Sequence, residues 1–233
     1  MGWLRRAAKW VAKKAKAVVR VVVHAAFTLL GLVFGVVDIF FGWAAWPPKK
    51  LRLHIVILSN SNGPVVSEKD LGPAIQYART RLKSRFGVEL KSYAPGMIET
   101  LAPPAPRGAL IVGCDGHAFG EELGDVGDFF AQHTAGWNAI PISPTFPITV
   151  FVVENVEGKQ GCSLGPLTDY VTIDPTALGG NHSTMTHEIL HACNLLGHPV
   201  PKRNLQSDLP DRGDEVTWLQ KNVFRSSRHV TYW

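Results

Sequence analysis

Between residues 187 and 198 the chain reads HEILHACNLLGH, the stretch that leaves it least freedom of fold. His187 and His191 are four apart, so on a helix they project from one face, about a turn from each other. Two imidazoles so placed can take adjacent corners of a zinc tetrahedron, with bonds of about 2.0–2.1 Å. Glu188 follows the first histidine, rotated by about 100° around the helix. It therefore stands beside the metal rather than on it, where it can take a proton from metal-activated water. Ile189, Leu190 and Ala192 turn the opposite side into a core. Asn194 can adopt the left-handed conformation that ends a helix, and Gly197 adds a second bend. The chain can then fold back and bring His198 to the metal as a third ligand, with Asp208 and Asp211 as reserve ligands.

The rest of the chain supplies a plausible frame for such a helix. LRLHIVILS, residues 51–59, is a β-branched run ending in turn-rich SNSNGP, the pattern of a buried strand. Residues 68–86 set Leu71, Ala74, Ile75, Ala78, Leu82 and Phe86 on one helical face. Further strands are expected at 88–94, 109–113, 148–156 and 169–174, with a Pro-rich loop from Ala102 to Pro106. Residues 117–134 read as partly helical, and Gly179-Gly180 break the chain before the histidine helix, expected at 182–194. Asn181, Ser183 and Thr184 offer caps there, and His182 reads as a helix-start residue. Val216, Leu219 and Val223 give a last helical stripe. His54, His117, His133 and His229 carry no readable signal, and nothing local argues for Tyr170 or Tyr232 as an oxyanion donor.

With these residues in place, the sequence resembles the metzincin peptidases, whose pattern is HExxHxxGxxH followed by a methionine turn. The resemblance covers residues 51–233, mainly 179–198. It implies an α+β fold, with a five-stranded mixed sheet over the zinc helix. It also implies a zinc-dependent endopeptidase with His187, His191 and His198 as ligands, Glu188 as general base, and a peptide or protein substrate. The chain departs from the pattern at three points. Asn194 stands where the family has Gly, the third histidine comes one residue late, and no methionine follows Met185. Asn204-Leu205-Gln206 is the candidate counterpart of the methionine turn, with Gln206 in the methionine position. Substrate would lie extended along a sheet edge.

The N-terminal segment has a different character. Residues 1–20 carry seven cations (Arg5, Arg6, Lys9, Lys13, Lys14, Lys16 and Arg20), the composition of a basic helix on an anionic membrane surface. Residues 21–46 are apolar apart from His24 and Asp38, long enough to cross a hydrocarbon core of about 30 Å. Trp43 and Trp46 suit an interfacial belt, and Pro47-Pro48 stop the helix in the linker 47–50. The expected arrangement is a single-pass anchor, with its N-terminus cytoplasmic and residues 51–233 outside the cytoplasm. Gly31 and Gly35 have the spacing of a self-association motif. A conditionally inserting segment and a cleaved signal peptide are the alternatives. The second is opposed by the long basic stretch and the lack of an Ala-x-Ala site. The rival from another class is a membrane-active, toxin-like protein whose zinc domain is only a scaffold.

Charge and cysteines narrow the field. Residues 1–50 hold nine of the 24 Lys and Arg and one of the 19 acids, so the remainder carries a small net negative charge. Nucleic-acid binding by the main domain therefore lacks electrostatic support. Cys193 reads as a small core residue. Cys114 and Cys162 could pair in an oxidising compartment. GCSLG, residues 161–165, matches G-x-S-x-G but lacks the strand before and helix after that a nucleophile elbow needs. That loop is expected to rim the cleft beside an edge strand.

Overall fold

The structure is a computed structural model that describes residues 48–114, 124–135, 146–180, 182–199, 201–209 and 211–232, with helical positions scattered between 11 and 29. The proposed span 21–46 lies mostly outside the described residues, Gly31, Gly35 and Asp38 included. Among the described residues no helix is long and apolar enough to cross a membrane.

The sheet is organised by its first strand, β1 (Lys49–Asn60). Successive side chains on a strand face opposite ways, and here both faces are covered. Leu51, Leu53, Ile55 and Ile57 enter one core, and Val56 and Leu58 enter a second core on the other side. That double burial explains the near-continuous apolar run in the sequence. A hairpin partner follows, β2 (Gly63–Pro64), then β3 (Val88–Ser92), β4 (Ile98–Pro104), β5 (Ile111–Val112) and β6 (Ile148–Val152). The remaining strands are β7 (Asn155–Val156), β8 (Gly161–Cys162), β9 (Tyr170–Ile173) and β10 (Val230–Thr231). On one edge β1 pairs in parallel with β3 and then β4. On the other it meets β10 antiparallel and β6 in parallel. The order continues β6–β9–β8, with β8 antiparallel to β9 at the margin. Among the described residues the mixed sheet holds eight strands, three more than the five expected, because β1 is long enough to pair with five of them.

Helix α1 (Gly72–Arg81) follows a 3₁₀ turn at Glu68–Leu71 and ends in a π turn at Leu82–Phe86. Its expected face holds: Leu71, Ala74, Ala78, Leu82 and Phe86 are fully buried. Helix α2 (Arg107–Leu110) is a single turn, and α3 (Asp125–His133) packs Phe130 on the opposite face of the sheet, against Phe151. Helix α4 (Thr184–Ala192) carries the histidines and shares the first core with α1. Helix α5 (Trp218–Arg225) closes that core with Phe224, whose ring lies 4.5 Å from that of Phe86.

Four local expectations are corrected. Ala109 and Leu110 belong to the turn α2, so the strand expected at 109–113 shrinks to β5. The run 148–156 is divided: β6 stays in the main sheet, and β7 pairs with β5 in a separate two-stranded sheet. Residues 98–104, with Pro103 and Pro104, form β4. Proline is tolerated there because the outer margin of an edge strand needs no donor. Leu219 faces solvent at 60% exposure, while Asn222 and Phe224 turn inward. The rotation of α5 is set by its N-terminal box, in which Gln220 N–H bonds Thr217 Oγ1 and Thr217 N–H bonds Gln220 Oε1.

Phe86→Ala should cost about 3–5 kcal/mol of unfolding free energy by leaving a cavity under α5. Denaturant titration of the variant checks this, and a loss under about 1 kcal/mol would contradict the packing described.

Candidate metal centre

The histidine helix stops where the sequence says it should. Asn194 has φ 74° and Gly197 has φ 84°. The Leu195 N–H bonds the Leu190 carbonyl at 3.0 Å, and the Asn194 N–H bonds the His191 carbonyl at 3.2 Å. Together these make the two-bond helix terminus that a left-handed residue permits. Leu190 and Leu195 both enter the core beside it.

This reversal places the third imidazole. His191 Nε2 lies 3.1 Å from His187 Nε2 and 3.0 Å from His198 Nε2. Corners of a tetrahedron with bonds of about 2.05 Å are about 3.3 Å apart, so the spacing suits nitrogens sharing one ion. The rings of His187 and His198 are parallel within 6°, and that of His191 stands nearly perpendicular to both. His187 is buried, His191 half-buried and His198 exposed. The three residues could hold a metal ion.

The other ring nitrogens fix the tautomers. His187 Nδ1 lies 3.1 Å from the Leu205 carbonyl, and His191 Nδ1 lies 2.7 Å from the Leu195 carbonyl. A carbonyl only accepts, so both Nδ1 atoms carry the proton and leave the Nε2 lone pairs for a cation. Burial drives the pKa of these rings far down, to about 2 for His187 and about 4 for His191. They are neutral bases near pH 7, as metal ligation requires.

The expected counterpart of the methionine turn lies against the cluster. Leu205 supplies its carbonyl to His187, and Gln206 is fully buried with its amide nitrogen 2.9 and 3.0 Å from the two ring nitrogens of His191. The amide thus caps that ring instead of bonding one nitrogen. Asn204 exchanges two side-chain hydrogen bonds with Gln220 of α5 and accepts the Gln206 N–H. Helix α5 is thereby tied to the segment beneath the histidines.

Glu188 lies in the same cleft, 7% exposed. Burial pushes its carboxyl up to about 7, against the pull of Arg212 and Lys159. Its neighbour across the cleft wall is Gly161 of β8. A Cβ at that position would come within 2.8 Å of Glu188 Cγ and 3.0 Å of its Oε1. Cys162, next along β8, is bridged to Cys114 with a Cα separation of 5.7 Å. Ser163, Leu164 and Gly165 line the cleft, so GCSLG rims it, and Ser163 Oγ accepts the Gly165 N–H.

Other expected residues fall elsewhere. Asp208 lines the cleft but lies outside the histidine cluster, and exposed Asp211 pairs with Lys202. Tyr170 packs against Phe130 and Phe151, and the Lys49 ammonium lies over the Tyr232 ring. His182 precedes the helix with φ 58°, its Nδ1 on the Leu178 carbonyl, and Ser183 takes the N-cap position. Arg212 and Lys159 are not legible as site residues, since each reaches the cleft from a loop far from the motif; Gly161 belongs to the expected rim, but its contact with Glu188 is not legible.

Ionising a buried carboxyl costs stability when its folded pKa exceeds the unfolded value. For metal-free protein that cost from Glu188 starts near pH 4.5 and is complete above pH 7, reaching about 3 kcal/mol. Chemical denaturation should find metal-free Glu188→Gln and parent equally stable near pH 4.5. At pH 8 the variant should be more stable by about that amount. A gap independent of pH would contradict the burial.

No protein-family model and no curated protein matches the chain. Among solved structures, it is similar to metalloproteinase-II from Bacteroides fragilis at 13% identity and a TM-score of 0.46. The match covers 76% of this chain and about half (50%) of that one.

Proposed function

We propose that the chain is a zinc-dependent endopeptidase of the metzincin kind, with His187, His191 and His198 holding the ion. The observation that carries this reading is the convergence of three Nε2 atoms, two of them with Nδ1 committed to main-chain carbonyls, beside a buried carboxyl in an open cleft. When bound, zinc supplies Lewis-acid activation of water and of the scissile carbonyl.

The chain's own groups do the rest. Glu188 takes the proton released as water adds to the carbonyl carbon, and delivers it to the amine as the C–N bond breaks. A carboxyl in the cleft wall, 7% exposed and next in sequence to a ligand, is sheltered from bulk water and suited to both halves of that transfer. Gly161 lets strand β8 pass against Glu188 and limits the positions its carboxylate can take. Strand β8 lies at the end of the sheet and lines the cleft, which supports a substrate laid extended along it, main chain to main chain.

The apolar run 21–46 is proposed to hold this domain at a membrane, outside the cytoplasm. The Cys114–Cys162 bridge supports an oxidising compartment.

Zinc analysis and a peptide-library digest of the full chain test the reading. Glu188→Gln should keep one zinc per chain and lose on the order of 10²–10⁴ in kcat; normal turnover by that variant would refute the assignment. Gly161→Ala should also keep zinc but lower kcat at least roughly tenfold, because the new methyl displaces Glu188. Unchanged kcat in this variant would show that the carboxyl is not held by that contact.

A further inference from the structure

A second groove lies away from the histidines and shares no lining residue with their cleft. It holds about 670 Å³ between α1 with its π turn on one side and β3 on the other. Ile75, Arg79 and Lys83 enter its wall from the helical side. They are four apart, so they form one ridge, with a step of about 6 Å from each to the next. Leu90 is buried in the groove wall, and Ile75 and Met97 pack on the same core, so the floor is apolar.

Strand β3 borders the groove with an edge that no strand covers. Its one ladder among the described residues is with β1. The Tyr93 N–H bonds the Leu53 carbonyl at 3.0 Å, so alternation turns the main-chain groups of Leu90 and Ser92 to the far side. A row of N–H and C=O groups left open in this way is a template for one more strand.

The charges beside that edge do not balance. Lys91 is paired with Glu89 at 2.9 Å, and Glu89 is the one carboxylate in the lining. Arg79 and Lys83 are exposed and make no ion pair or hydrogen bond among the described residues. Both positive charges are therefore left over. On a strand, side chains two apart share a face and stand about 6.6 Å from each other. That step matches the one from Arg79 to Lys83, so carboxylates at alternate positions of an added strand would meet both cations.

We infer that this groove docks an extended acidic segment of another polypeptide, which adds to β3 as a strand and sets its carboxylates on Arg79 and Lys83. The inference goes beyond the peptidase reading and needs no metal. It gives the chain a hold on a protein partner outside the cleft.

Metal-free full chain, in which no cleavage intervenes, is titrated with short labelled peptides and followed by fluorescence anisotropy. The first peptide alternates Glu with Thr, the second alternates Gln with Thr, and the third is the Glu peptide with its amides N-methylated. The Glu peptide should bind roughly tenfold or more tightly than the other two, and less tightly as salt rises. Arg79→Glu combined with Lys83→Glu should weaken it at least roughly tenfold. Ser92→Pro removes an outward N–H without touching the ladder to β1, and should weaken it at least about fivefold. All three positions are exposed, so circular dichroism should match that of the parent.

Absence of binding at millimolar peptide overturns the inference, as does equal binding of the Glu and Gln peptides. An affinity that survives the double charge reversal, or Ser92→Pro, in folded protein does the same. Should Ser92→Pro fail to fold, the N-methylated peptide decides, and its undiminished binding would show that no strand is added.

Discussion

The centre depends on one backbone conformation, the left-handed residue at Asn194. A right-handed continuation would carry the chain onward along α4. The positive φ instead turns the Leu195 carbonyl toward His191 Nδ1 and reverses the chain, so that His198 returns to the face holding the other two imidazoles. Asparagine bears this conformation at lower cost than residues with larger side chains, because a short polar side chain can hydrogen-bond locally. One dihedral thus fixes both a tautomer and the place of the third imidazole.

The second support comes from the far end of the chain. The capping box of α5 positions Gln220, Gln220 holds Asn204, and the segment 204–206 presents a carbonyl to His187 and an amide to His191. Two of the three histidines are therefore oriented by main-chain oxygens, one from their own helix terminus and one from this distant segment. Such outer contacts set ring orientation and ligand basicity.

What could be read in the sequence followed local chemistry. The face of α1, the end of α4 at Asn194 and the double burial of β1 each follow from periodicity or from one residue's conformational range. Gln206, which the resemblance sets in the methionine position, lies against His191. The failures were non-local. Strand β4 exists because β1 offers it an edge, and nothing within IETLAPP announces a strand. The run 148–156 is divided because β5 captures its end. Leu219 has helical spacing, but the cap of α5 rotates it into solvent. Arg212 gives no signal in the sequence, and Gly161 gives one only as part of the rim loop, since what each does depends on what the fold sets opposite it.

The unequal burial of the three histidines has a kinetic consequence. His187 and His191 ride on a helix seated in the core, whereas His198 sits on an exposed turn next to Leu196, which is 71% exposed. Opening that turn needs no disturbance of the sheet, and local opening draws on the least stable parts of a structure. Of the three rings, His198 is therefore the one that can leave the cluster and return without disturbing the core. How long the three nitrogens stay together is set by the exposed turn after Asn194 rather than by the sheet.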